Sequence, residues 1–118
     1  MSAKIYQYNL PLPPSVNSLW RAGWARMYRS KKYVEWIGKC EEYFANRVPP
    51  LINYPFAIEI AMGRPSKRKM DIDNRIKAVL DVLERVRVIE DDSLAWHLNV
   101  YWEENLDGCR VTISKAGI

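Results

Sequence analysis

The sequence predicts an α+β domain of element order β-α-β-α-β-β, two helices packed on a sheet of about four strands. Two helical periodicities and two alternating runs carry that prediction. Tyr33, Ile37, Cys40, Phe44 and Val48 recur at helical spacing, and so do Ile72, Ile76, Val79, Leu80 and Leu83. Residues 56–62 and 94–102 alternate apolar side chains with others, the period of a half-buried strand.

The elements follow in order. Residues 5–10 form a first strand with Tyr6, Tyr8 and Leu10 on one face, and Pro13-Pro14 stops it because proline cannot extend a ladder. Residues 18–29 show no period and mix Trp20 and Trp24 with Arg21, Arg26 and Arg29. This arm suits phosphate pairing and base stacking, or equally the packing of its rings on the core. Ser30 is a good N-cap for the first helix, and Pro49-Pro50 closes that helix. Gly63-Arg64-Pro65-Ser66 ends the next strand. The second helix starts near Asp71, and Asp73, Lys77 and Asp81 make a polar ridge beside its apolar stripe. Glu90-Asp91-Asp92 lies in the loop beyond. Leu106-Asp107-Gly108 then turns the chain from the long strand into a returning strand carrying Val111 and Ile113, as in a hairpin.

At 118 residues, 48% hydrophobic and 27% charged, the chain reads as one globular domain, 1–118. No apolar run approaches the roughly 20 residues of a membrane span. The start of the chain lacks a signal core, so the expected location is cytoplasmic, with no membrane partner. Cys40 and Cys109 fit no metal spacing and read as small buried side chains. The one histidine, His97, rules out a His-rich zinc site and has no nucleophile motif around it.

The net charge of +4 is unevenly spread. Residues 1–69 hold twelve Lys/Arg against four Asp/Glu, and residues 70–118 hold six against ten. A basic half suits a polyanion partner, although a solvated surface also uses such charges. The division falls at Lys67-Arg68-Lys69-Met70-Asp71-Ile72-Asp73. Cations attract phosphate, and carboxylates repel it unless they hold a metal. A hard cation such as Mg²⁺ takes oxygen ligands, often one to three carboxylates with substrate phosphate. Asp71 and Asp73 can converge if Asp71 precedes the first regular turn, and the Glu90-Asp91-Asp92 loop can add a third ligand. Lys77, one turn after Asp73, can meet the scissile phosphate. The bland alternatives are an aspartate favoured by the helix dipole and an i,i+4 surface pair.

Asp71-x-Asp73-Asn74-x-x-Lys77-x-x-x-Asp81, followed by Ile89-x-Asp91-Asp92 before a strand, resembles the RusA family of Holliday junction resolvases, or crossover-junction endodeoxyribonucleases. Pro13-Pro14-Ser15-x-Asn17 resembles that family's N-terminal signature. The resemblance implies a homodimer that cuts four-way DNA junctions by magnesium-dependent hydrolysis, with paired symmetric nicks. It implies Asp71, Asp73 and Asp92 as the carboxylates at the metal and Lys77 as the catalytic lysine, with Asn74 and Asp91 supporting. Arg64, Lys67, Arg68 and Lys69 are the expected DNA-binding residues. Relatives often carry a glycine after the second helix. Residues 83–88 here have none, which makes a left-handed cap costlier and favours another helix end. Two other function classes stand beside this one. They are a non-catalytic DNA-binding domain of the same fold and a metal-dependent phosphoesterase acting on small nucleotides.

Overall fold

The structure, a computed structural model, describes residues 4–14, 31–64, 66–67 and 70–117. Among them the chain runs β1 (Ile5–Leu10), α1 (Lys31–Ala45), β2 (Phe56–Gly63), α2 (Ile76–Arg85), β3 (Ala95–Glu103) and β4 (Cys109–Lys115), the order the periodicities predict. The Trp/Arg arm of residues 18–29, the Ser30 cap, Ser15, Asn17, Arg68 and Lys69 lie outside the described residues.

The strands make one mixed sheet in the order β1-β4-β2-β3. β2 and β3 are parallel, because α2 carries the chain back between them. β4 is antiparallel to both β1 and β2. This corrects the hairpin reading: β4 returns, but it pairs on the far side of β2 rather than with β3. The connection therefore crosses two strand spacings, about 10 Å. Asn105 and Gly108 make that possible by taking left-handed backbone, at φ 63° and 87°. Gly63 permits the crossing to pass close. A Cβ there would sit 1.8 Å from the Leu106 carbonyl oxygen, and its own amide donates to the Gly108 carbonyl at 2.9 Å.

One sheet face is apolar and carries the core. Tyr8 and Leu10 of β1, Phe56, Ile58, Ile60 and Met62 of β2, and Val111 and Ile113 of β4 pack with Tyr33, Trp36, Ile37, Cys40 and Phe44 of α1 and with Ala78, Val79, Val82 and Leu83 of α2. Each large apolar side chain so buried contributes about 2 kcal/mol. Cys40 and Cys109 are both buried and unbridged, as the sequence predicts. The opposite face is polar. Arg110 reaches across β2 to fork onto Glu103 with bonds of 3.0 and 2.6 Å, and the Tyr101 hydroxyl donates to Glu59 at 3.0 Å. β3 is an outer strand, and Trp96 and Leu98 on it are 56% and 49% exposed. The alternation predicted a half-buried strand; its two ends, at Leu94 and Ala95 and at Val100 and Trp102, pack against the core, while Trp96 and Leu98 between them do not.

Both helix ends depart from the sequence reading. α1 stops at Ala45, so Val48 is not its last buried position but is 97% exposed. The residue before a proline disfavours helical backbone, and Pro49 follows Val48 directly. α2 ends in the left-handed cap that the lack of glycine argued against. Arg87 takes φ 63°, its amide donates to Glu84 at 3.1 Å, and the Val88 amide donates to Leu83 at 2.9 Å. These paired bonds satisfy two terminal carbonyls and offset the backbone cost of a side chain there.

Candidate functional site

α2 begins as a 3-10 turn, Asp73–Arg75, before its regular turns. Asp71 lies just before that turn and accepts from the Asn74 side-chain amide at 3.2 Å. Asp73 opens the turn, where the positive end of the helix dipole favours a carboxylate. One turn on, the Lys77 ammonium meets the Asp81 carboxylate at 3.3 Å. The hydrogen bond and charge of Asp81 hold that ammonium above its ordinary value, with smaller contributions from Asp92 and Glu84. Lys77 is thus charged at neutral pH and stands in the field of the acidic loop.

That loop is fixed by its neighbours on both sides. Upstream, the Ile52 amide donates to Val88 at 2.9 Å and the Glu90 amide donates to Ile52 at 3.0 Å, a short parallel bridge. Downstream, Asp91 caps a 3-10 turn, Asp92–Leu94, and accepts from the Ser93 amide at 2.9 Å. Hydrogen bonds from Ser93 hold the Asp91 carboxyl below its ordinary value, so it stays ionised. The Asp92 amide donates to the Glu84 carboxylate at 2.6 Å. The outcome is a trio, Glu84, Asp91 and Asp92, with one oxygen from each lying within 4.8 Å of the others.

The trio fits a hard divalent cation. Its donors are all carboxylate oxygens, and their spread is close to the roughly 4 Å between opposite oxygens around Mg²⁺. Glu84 was missed by the sequence reading. The signal for it was present: Glu84 stands three residues beyond Asp81, on the ridge that already held Asp73, Lys77 and Asp81. Asp71 and Asp73 lie outside the trio. Asp73 is eleven residues before Glu84, about 16 Å along the axis at 1.5 Å per residue. Asp71 and Asp73 therefore stand at the start of α2 and the trio at its end, with Lys77 and Asp81 between them.

The basic residues gather elsewhere. The Arg64 guanidinium lies over the Trp102 ring, 5.4 Å from its centroid. Arg64, Ser66 and Lys67 line a cleft with Trp102, Glu103, Glu104 and Asn105. No helix among the described residues is long and apolar enough to cross a membrane.

A small mixed-sheet α+β domain with clustered carboxylates beside a fixed lysine is a frame suited to phosphodiester chemistry, and the comparisons place the chain among DNA-cutting enzymes. It belongs to the RusA family: the family model described as Endodeoxyribonuclease RusA matches residues 11–114. The chain is 29% identical over 100 residues to the crossover junction endodeoxyribonuclease RusA of Aquifex aeolicus (strain VF5), covering 81% of this chain and 76% of that protein. It is 30% identical over 88 residues to the crossover junction endodeoxyribonuclease rusA of Enterobacteria phage HK97, covering 74% of this chain and 73% of that protein.

Proposed function

We propose that the chain is a magnesium-dependent endodeoxyribonuclease that resolves four-way DNA junctions by paired symmetric cuts as a homodimer. The observation that carries the reading is the Glu84–Asp91–Asp92 trio within the field of Lys77, in a chain of the RusA family. Asp92, with Asp91 and Glu84 beside it, holds the ion. Asp71 and Asp73 stand at the other end of the same helix flank and are the further carboxylates that a DNA strand running along it meets. Such an ion supplies Lewis acidity and charge neutralisation at a phosphodiester.

The chain's own side chains do the rest. Lys77 presents a positive charge to the scissile phosphate and is kept protonated by Asp81. Asn74 holds the Asp71 carboxylate in place. Arg64 and Lys67, with Arg68 and Lys69, attract the phosphate backbone and give an affinity that falls with salt. A four-way junction has approximate two-fold symmetry, so a two-fold dimer sets one site on each of two opposed strands. β3 supports such a dimer. It is an outer strand of nine residues with no Lys, Arg or Pro to guard its edge, and it exposes Trp96 and Leu98.

The test is incubation with labelled synthetic four-way junction and linear duplex, with Mg²⁺ and with chelator. Cutting of the junction alone, and only with metal, is the expected result. Binding without cutting assigns the chain to the non-catalytic class. Hydrolysis of small phosphoesters with no action on DNA assigns it to the nucleotide class.

A further inference from the structure

A second basic feature lies on the other flank of the first turn of α2. Arg75 lies off the Asp73–Lys77 ridge: it closes the 3-10 turn, where residues two apart are about 120° apart at three residues per turn, and it diverges by about 200° from Lys77 at α-helical spacing. Its Nη1 donates to the Pro13 carbonyl, and its Nε is buried with no acceptor among the described residues. Burial pulls the guanidinium below its ordinary value. The proline segment is held as a wall by a second bond, from Trp36 Nε1 to the Pro11 carbonyl at 2.8 Å. Between that wall and α1 lies a cleft of about 260 Å³, lined by Arg75, Lys32, Lys39 and Glu35 among others.

The charge there is unbalanced. The one carboxylate among the described lining residues, Glu35, has Lys31 as its partner at 4.0 Å. Among the described residues, Lys32 and Lys39 have no ion-pair partner. They stand two helical turns apart, about 10 Å, on one side of the cleft.

We propose that this cleft, with Lys32, Lys39 and Arg75, seats backbone phosphates of the DNA on the side of α2 opposite the carboxylates. The inference rests on the proposed reading of the chain as a DNA-cutting enzyme and adds a second contact track to it. A strand crossing the start of α2 then meets cations on one flank and the cutting residues on the other. The track fixes the strand's position without touching the scissile bond.

The test is the salt dependence of junction binding by the full chain in chelator, where no cutting intervenes. The Lys32→Gln/Lys39→Gln variant changes only exposed side chains, and an unchanged urea midpoint shows that its fold is kept. The expected result is a slope of log affinity against log salt that flattens by about 1.8, or 0.9 for each phosphate no longer neutralised, with binding about tenfold weaker. Wild-type binding with an unchanged slope in the variant overturns the phosphate seat and leaves the nuclease reading standing. Absence of salt-dependent DNA binding by the wild type overturns both.

Discussion

The Asp92 amide donates a 2.6 Å hydrogen bond to the Glu84 carboxylate, tying the turn before β3 to the last turns of α2. Glu84 thereby anchors the loop, and in the proposed function it also offers an oxygen to the cation. Glu84→Gln keeps an acceptor for the amide but removes the charge. It should lower Mg²⁺ or Mn²⁺ affinity at least about tenfold with little change in unfolding midpoint, as read by calorimetric titration. Glu84→Ala should lose both. Equal metal affinity in Glu84→Gln and wild type would remove this residue from the ion's ligands.

Asp73→Asn should abolish cutting while junction binding stays the same or tightens, because it deletes a charge that repels the backbone. A bound ion at the cutting site is worth several kcal/mol of transition-state stabilisation, so losing a carboxylate that helps to hold it should cost about 100-fold or more. Gel-shift and cleavage assays on the same protein separate the two effects. Loss of both activities together would mark Asp73 as a structural residue.

Lys67→Ala should weaken junction binding and flatten the salt slope by about 0.9 if Lys67 meets one phosphate. An unchanged slope would take Lys67 off the DNA surface.

Arg87 holds a left-handed backbone that costs an ordinary residue about 1 kcal/mol or more. Arg87→Gly should therefore raise stability by about 1 kcal/mol, seen as a higher urea midpoint at constant slope. Arg87→Ala should bring no such gain. A destabilised Arg87→Gly protein would show that the Arg87 side chain contributes more than its backbone strain takes away.

Burial pushes the Cys40 and Cys109 thiols up to about 12 from an ordinary 9.0. At pH 8 the native thiolate fraction is then on the order of 10⁻⁴, and iodoacetamide should label the protein only through unfolding. The folded state keeps these protons where the unfolded chain loses them. Stability should accordingly fall as pH rises above 9.0 toward about 12. Fast labelling of the native protein at pH 8 would contradict the burial of both thiols.

Much of the fold was legible because periodicity reports burial directly. The Phe56–Gly63 strand and the Ile72-to-Leu83 stripe each face one core, and each could be read from spacing alone. The path of β4 could not. Whether a returning strand pairs with its predecessor or passes beyond its neighbour depends on which edge is already taken, and α2 had placed β3 against β2. The Arg87 cap was hidden because its cost is local, whereas the bonds that offset it appear only in three dimensions. Of the candidate site, the aspartates and Lys77 were visible as a pattern. Glu84 shared their ridge, but its place beside Asp92 was hidden, because that is set by the Ile52–Ile89 bridge that folds the acidic loop back along the helix.

The straight run of α2 acts as a gauge block between the two acidic groups. Adding one residue inside it would swing its first turn by about 100° relative to its last, carrying Asp73 and Lys77 off the flank that Glu84 occupies. Adding four would nearly restore the phase but lengthen the gap by about 6 Å. The connections at either end can vary in length with little consequence for this spacing. The residue count within the helix cannot, so its register is a dimension of the proposed cutting site.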